Sequence, residues 1–139
     1  RRSKATSNIC TNQGLVVTAS TIHMSIMGAK GLENTAAACF ANNNTLVEKL
    51  TAIDGVSKVF NGTHFHETVL QLDNNAGEVL EKLMDNGILG GYDLSQDYPE
   101  LGNAILVCTT EMRTEQDIES YAKTMTKVLA SSGADVASL

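Results

Sequence analysis

The chain has 139 residues, of which 42% are apolar and 19% are charged, and these proportions favour one folded globular domain over a disordered segment. Its net charge of -6 argues against binding to nucleic acid or to an anionic membrane, because neither Lys nor Arg forms an extended patch. Three cysteines without a CxxC spacing, no signal peptide and no apolar run of about 18 residues together favour reduced thiols in the cytoplasm over a secreted disulfide scaffold.

Two helices are predicted at the start of the chain. Apolar residues recur there at spacings of four, three and four, which is typical of one face of an α-helix. Gly28 and Gly31 predict a short break, after which an apolar stripe runs from Leu32 to Ile53 and Gly55 ends the second helix. The apolar face of the first helix consists of Leu15, Ala19, Ile22 and Ile26.

Three strands are predicted in the second half of the chain. Residues 56–60 and 65–72 are predicted as the first two, with Asn61-Gly62 as a turn between them. The unbroken apolar run at 104–108 predicts a central strand that is covered on both sides.

Two further helices are predicted from their caps. Asn75 and Glu78 stand at capping-box spacing, and the helix that they start continues to Gly87 with an apolar face that includes Met84. Thr114 begins the last helix, where acidic side chains follow at the positive end of the helix dipole. Its predicted buried face consists of Ile118, Tyr121, Ala122, Met125, Val128 and Leu129.

The predicted order of elements is α-α-β-β-α-β-α, within a single domain that covers residues 1–139. Helices that cover a small sheet form a two-layer α+β fold. Residues 130–139, which end in SSGADVASL, are predicted as a flexible tail.

His64 and His66 form an H-x-H pair beside Glu67, a pattern that occurs in metal sites. Alternation along a strand would place both imidazoles on one face of the sheet. No third ligand is apparent in the neighbouring sequence, so no metal site is predicted. His23, in the middle of the first helix, is predicted to be a packed or interfacial histidine and not a catalytic base.

Two other patterns are predicted to have structural roles and no binding or catalytic role. The segment GILGG follows a helix and precedes a strand, whereas a phosphate-binding loop needs the reverse order, so a helix stop and a sharp turn are predicted. Cys10 and Cys108 have no recognisable base beside them and are predicted to be small buried hydrophobic residues.

Arg113 joins the last strand to the last helix. Its planar guanidinium could bind a carboxylate, but an ion pair with Glu111 or Glu115 is favoured. Taken by themselves, the residues therefore assign no catalytic, cofactor-binding or metal-ligating side chain.

Three segments carry a family pattern, namely KATSNICTNQGL, GILGGYDLSQDYPELGNAILVC and TTEMRTEQDIESYA. Together they resemble the P-protein family of the glycine cleavage system, in particular the C-terminal portion of subunit 1 of the bacterial two-subunit glycine decarboxylase. The resemblance extends from Arg1 to about Leu129, and the segments stand in the family's order.

The resemblance implies the small C-terminal domain of a fold-type-I pyridoxal-phosphate enzyme. Residues 1–11 would then arrive from a missing large domain, and the chain would be a fragment of the subunit. In the family this segment lies near the active-site cleft, so Thr6, Ser7 and Asn8 are candidates to line or buttress that cleft. Turn and helix-cap chemistry is an equally favoured explanation of the three polar residues.

The reaction implied by the resemblance is decarboxylation of glycine on pyridoxal phosphate, followed by transfer of the aminomethyl group to the lipoyl H-protein. The lysine that anchors the cofactor lies in the partner, subunit 2, and Lys4 does not correspond to it. The fragment is therefore expected to be inactive and without cofactor, and to self-associate through apolar surface that its partners would cover. Two alternatives stay open: a free-standing α+β binding module, and the small domain of another fold-type-I pyridoxal-phosphate enzyme.

Overall fold

The computed structural model describes residues 13–136, and the surroundings of side chains over residues 13–131. The regular elements are α1 (Gly14–Thr51), β1 (Val56–Lys58), β2 (Glu67–Leu72), α2 (Ala76–Asp85), β3 (Tyr92–Asp93), β4 (Ala104–Cys108) and α3 (Glu115–Val136), with a turn of 3-10 helix at Pro99–Leu101 before β4.

The helical segment α1 contains one non-helical residue, Gly28, with φ 63° and ψ 178°. The predicted break therefore occurs at Gly28 alone, because Gly31 is helical. By its contacts the chain divides into two compact units, one that ends at Asn34 and one that begins at Thr35. In the first unit, the predicted apolar face is exposed to solvent, and Leu15 and Ile26 are 85% and 80% accessible.

The second unit contains a four-stranded antiparallel sheet with the order β1-β2-β4-β3. β4 matches its predicted range, whereas β1 and β2 are shorter than predicted by two residues each. Sequence analysis missed β3, which is only two residues long and pairs Tyr92 with Leu106.

Three helices and one face of the sheet enclose the core, so the predicted two-layer α+β fold is confirmed. In β2 and β4 the alternate residues Leu70, Ile105 and Val107 point into this core and are almost fully buried. The predicted buried face of α3 is confirmed, since most of its residues lie in the same cluster. The helices contribute Leu46, Val47, Leu50, Ala76, Val79, Leu83, Ile118, Tyr121, Met125, Val128 and Leu129.

The prediction that β4 is covered on both sides is wrong. Its residues Leu106 and Cys108, which alternate with the core residues, are half-buried and exposed respectively. The opposite residues of β2 on this face, Val69 and Glu67, are also half-buried and exposed. We call this surface, made by Glu67, Val69, Leu106 and Cys108, the open face of the sheet.

Both predicted helix caps are confirmed. The Glu78 amide donates to Asn75 Oδ1 at 3.0 Å, and the Asp117 amide donates to Thr114 Oγ1 at 3.2 Å. The prediction that Met84 is buried is wrong, since it is 59% accessible and its neighbour Leu83 occupies the core position.

The last helix continues to Val136, so the backbone of residues 131–136 is helical although 130–139 were predicted as a tail. The flexible tail and the single domain over residues 1–139 stay predictions. No helix within residues 13–136 is long and apolar enough to cross a membrane.

Candidate functional site

The cleft candidates Thr6, Ser7 and Asn8 lie outside the described residues, as do Lys4 and Cys10. The two histidines of the H-x-H pair precede β2 and are not part of the strand. They make separate contacts. His64 Nε2 lies 3.1 Å from Asn44 Oδ1 on α1, whereas the ring of His66 packs edge-on against Phe65 at a centroid distance of 4.7 Å.

His23 is exposed in the first unit, so the expected packing of this histidine is not present among the described residues. An interfacial role for it stays a prediction.

A cleft of about 610 Å³ opens in the second unit, between the loop that follows α2 and the junction of β4 with α3. Two of the segments that carry the family pattern, which follow one another in the sequence, provide most of its lining. The lining consists of residues 87–92 from the loop, Leu106, Cys108, Thr109 and Arg113 from β4 and the junction, Asp117, Ile118, Ser120 and Tyr121 from α3, and Leu46 from α1.

The loop side of the cleft is held by close backbone packing. A Cβ atom at Gly90 would lie 2.5 Å from Leu83 Cδ1, and one at Gly91, where φ is 147°, would lie 2.6 Å from the Leu106 carbonyl oxygen. The Tyr121 hydroxyl donates a hydrogen bond to the Gly90 carbonyl oxygen. The two glycines therefore allow this loop to pack closely against β4 and the helices. Sequence analysis predicted only a helix stop and a sharp turn here and did not predict this close packing.

The junction side of the cleft is held by α1. The amide nitrogen of the Asn42 side chain donates to the carbonyl oxygens of Thr110 at 3.0 Å and Arg113 at 2.9 Å. Cys39 donates its thiol proton to Glu111 Oε2 at 3.2 Å and accepts from the Glu111 amide at 3.3 Å. These bonds fix the backbone that carries Arg113.

Asn43 is a polar residue at the centre of the core and is completely buried. Its side chain accepts a hydrogen bond from Thr68 Oγ1 at 2.7 Å and donates one to the His66 carbonyl oxygen at 3.0 Å. The sequence signal for this residue is an asparagine within an apolar stripe, which predicts a buried hydrogen-bonding position.

The predicted ion pair of Arg113 with Glu111 or Glu115 is wrong. Within residues 13–131 the ion pairs involve other side chains, and the Glu111 carboxylate accepts from Cys39 instead. Arg113 lines the cleft, and its charge adds to the Thr114 hydrogen bonds that lower the pKa of the Asp117 carboxyl. The hydroxyl of Thr109, which also lines the cleft, is buried and has no hydrogen-bond partner within the described residues.

Burial sets the protonation of three groups around the cleft. It raises the pKa of the Tyr121 phenol well above its usual value, so this hydroxyl remains a donor at neutral pH. Burial and the hydrogen bond to Glu111 raise the pKa of the Cys39 thiol. Partial desolvation of the thiol and the nearby Glu67 carboxylate raise the pKa of Cys108. The prediction that Cys108 is a buried hydrophobic residue is wrong, because its side chain is exposed on the open face.

The lining suits the binding of a polar group, for which Arg113 provides a cation. No cysteine among the described residues has a histidine base in a hydrogen bond with it, so nucleophilic catalysis has no support within residues 13–131.

The chain is similar to proteins of one enzyme system. The family model of the glycine cleavage system P-protein matches residues 1–125. The probable glycine dehydrogenase (decarboxylating) subunit 1 of Methylococcus capsulatus is 57% identical over 129 residues, which cover 93% of this chain and 28% of that protein. The protein of the same name from Legionella pneumophila is 50% identical over 134 residues, or 96% of this chain and 29% of that protein. The chain thus spans less than a third of the length of these relatives.

Two solved structures share the fold. A glycine decarboxylase (P-protein) of the glycine cleavage system, in inhibitor-bound form, superposes with a TM-score of 0.80 at 26% identity. The superposed region is 92% of this chain and 29% of that protein's chain. A NifS-like protein from Rickettsia africae superposes with a TM-score of 0.63 at 15% identity, over 73% of this chain and 31% of its own. The second likeness shows the fold alone.

Proposed function

Because the chain belongs to the glycine cleavage system P-protein family, we propose that it provides part of subunit 1 of a glycine dehydrogenase (decarboxylating). The observation that carries the proposal is the 57% identity to a relative of that name over 93% of the chain. The cleft supports it, since two of the segments that carry the family pattern line one cavity.

In the proposed assembly this chain supplies a wall of the active site. The residues and the cofactor that carry out the reaction belong to its partners. The substrate would be glycine, which loses carbon dioxide, and the aminomethyl group would pass to the lipoyl H-protein. The proposed partners are subunit 2 and the H-protein. Arg113 is the described residue best suited to orient a polar group at this wall.

The described residues do not fit a role as anchor for pyridoxal phosphate, because no lysine is among those that line the cleft. We therefore propose that subunit 2 holds the cofactor through its own lysine, and we assign no catalytic or cofactor-binding residue to this chain. Thr6, Ser7 and Asn8 remain proposed residues of the cleft lining, from the segment that precedes α1.

A cytoplasmic location is part of the proposal and is supported by the thiols. Cys39 and Cys108 are both free, and reduced thiols are usual in that compartment. The NifS-like structure does not favour a different substrate, because at 15% identity it shares only the fold.

A chimera tests the proposed function directly. This chain would replace the matching region of subunit 1 from Methylococcus capsulatus, and the product would be combined with subunit 2, H-protein and pyridoxal phosphate. We expect exchange of bicarbonate with the carboxyl group of glycine at a rate within about tenfold of the unmodified enzyme, because the chain is 57% identical to the region that it replaces. A tenfold difference in rate corresponds to about 1.4 kcal/mol of transition-state stabilisation.

The control is the unmodified two-subunit enzyme, and a second chimera carries Arg113→Ala. A folded chimera that binds subunit 2 but shows no exchange would contradict the proposal. Retained exchange that falls with Arg113→Ala would support both the function and the role of the cleft.

A further inference from the structure

Three side chains of the kinds that ligate transition metals meet at one end of the open face. They are His66, Glu67 and Cys108, and one ligand atom from each lies within 4.8 Å of the other two. Glu67 and Cys108 are directly opposite each other in the register of β2 and β4, and His66 is the residue before β2. Sequence analysis found no third ligand for the histidine pair, because Cys108 comes from a strand that is distant in sequence.

The backbone under these residues is already fixed. The Thr109 amide donates to the His66 carbonyl oxygen at 3.1 Å, which extends the pairing of β2 and β4 by one step. The buried Asn43 side chain donates to the same oxygen at 3.0 Å. The three Cα positions are therefore held by the sheet, whereas the exposed side chains of Glu67 and Cys108 are free to change rotamer.

The three ligand atoms could bind a single ion if they moved slightly closer together. Ligand atoms in a tetrahedral zinc site lie about 3.3 to 3.8 Å apart, given metal–ligand bonds of roughly 2.0 to 2.3 Å. The three ligand atoms need to approach one another by at most about 1.5 Å, which rotamer changes of the exposed Glu67 and Cys108 side chains can provide.

A second observation concerns the imidazole itself. Nδ1 of His66 is enclosed by protein and has no hydrogen-bond partner within the described residues. Buried polar atoms are nearly always satisfied, so an unpartnered Nδ1 on an imidazole that belongs to this cluster needs an explanation. His64, the other member of the pair, already has Asn44 as its partner.

We propose that His66, Glu67 and Cys108 bind one zinc-class divalent cation, with a fourth position left for water or another ligand. Imidazole nitrogen and thiolate sulfur select zinc and its neighbours in the first transition row, whereas magnesium and calcium take oxygen ligands. Cys108 binds as the thiolate and releases its proton to solvent. The site does not depend on the proposed glycine chemistry and lies where the open face meets the cleft, because Cys108 also lines the cleft.

Cobalt titration of the full 139-residue chain tests the site. Co²⁺ takes the coordination of Zn²⁺ and gives a thiolate charge-transfer absorption in the near ultraviolet, which Zn²⁺ then displaces. We expect one Co²⁺ per chain with this absorption, and no competition from Mg²⁺. Cys108→Ser should abolish the absorption, and His66→Gln and Glu67→Gln should weaken binding at least about tenfold, since even loss of outer-shell support costs that much.

A matched control distinguishes this site from nonspecific binding. His64→Gln removes the same chemical group from the other histidine of the H-x-H pair, which is not a member of the cluster, and should leave affinity and absorption unchanged. Circular dichroism checks that each variant is folded, and Cys108→Ser changes an exposed side chain, so its fold should be retained. The proposal is overturned if no thiolate absorption forms, if folded Cys108→Ser keeps it, or if His64→Gln weakens binding as much as His66→Gln.

Discussion

The phenol of Tyr121 on α3 donates a hydrogen bond to the carbonyl oxygen of Gly90, 31 residues earlier in the chain. Both residues are buried, so the bond ties the loop side of the cleft to the helix behind it. We expect Tyr121→Phe to lower the free energy of unfolding by about 1 to 3 kcal/mol, because the buried carbonyl oxygen loses this hydrogen-bond donor. Urea unfolding followed by circular dichroism measures this change.

Tyr92→Phe is the matched control for that prediction. The Tyr92 hydroxyl also donates a hydrogen bond, to Asp97 at 2.7 Å, but both side chains lie at the surface. Its loss should leave the urea midpoint unchanged within experimental error. Equal effects of the two variants would contradict the structural role assigned to Tyr121.

Gly90 and Gly91 provide a second prediction about the same loop. Alanine at Gly91 would bring a methyl group to 2.6 Å from the Leu106 carbonyl oxygen. It would also have to adopt a φ of 147°, which is rare for residues other than glycine. Alanine at Gly90 would meet the end of the Leu83 side chain, which can move. We expect Gly90→Ala to cost about 1 to 3 kcal/mol of unfolding free energy and Gly91→Ala to cost more.

Gly62→Ala is the control for the two glycine variants, because no heavy atom lies within 4 Å of the added methyl group there. In thermal unfolding of the three variants, the midpoint of Gly62→Ala should be close to that of the unmodified chain. A Gly91→Ala variant as stable as Gly62→Ala would mean that the loop does not lie against β4 as described.

Local signals in the sequence were sufficient for most of the fold. The cap at Asn75, the cap at Thr114 and the apolar run at 104–108 each depend on a few adjacent residues, and each gave the correct element. β3 was missed because two residues carry no periodicity, and its pairing with β4 is decided by the close approach that Gly91 allows.

The candidate site was harder to predict because its contacts are long-range. Glu111 was expected to pair with the adjacent Arg113, yet its carboxylate accepts a hydrogen bond from Cys39, 72 residues earlier. Cys108 was expected to be buried because an apolar run does not reveal which face of a strand is covered. The family pattern identified both segments of the cleft, but only the sheet register brings Cys108 beside Glu67.

Asn43 gives a third prediction, about the polar centre of the core. Asn43→Ala leaves both the Thr68 hydroxyl and the His66 carbonyl oxygen without this partner, so we expect a loss of about 2 to 4 kcal/mol of unfolding free energy. The control Asn44→Ala removes only the half-buried contact with His64 and should cost less. Similar urea midpoints for the two variants would show that Asn43 does not organise the core.

Asp117 provides a prediction about acid stability. Its carboxylate accepts hydrogen bonds from the Thr114 amide at 2.8 Å and the Thr114 hydroxyl at 2.9 Å, and these bonds lower its pKa. The stabilisation is therefore present above the ordinary carboxyl pKa of about 4 and is lost as the pH falls through the lower pKa of the folded state.

We expect Asp117→Asn to make the thermal midpoint less dependent on pH over the range from about 5 to 3, since the amide does not titrate. Thr114→Ala removes the hydroxyl partner and should also reduce the dependence. Unchanged pH dependence in both variants would contradict the assignment.

The exposed apolar surface of the first unit gives the last prediction. Its members are Leu15, Val16, Val17, Ile22, Met24 and Ile26. Exposed apolar side chains promote association, so we expect the isolated chain to form dimers or larger species at high concentration. Sedimentation equilibrium should show a shift toward monomer in the double variant Leu15→Gln and Ile26→Gln. Met112→Gln, which changes an exposed side chain in the second unit, should not cause this shift. A monomeric unmodified chain at every concentration would contradict the prediction, as would an equal shift in the Met112 variant.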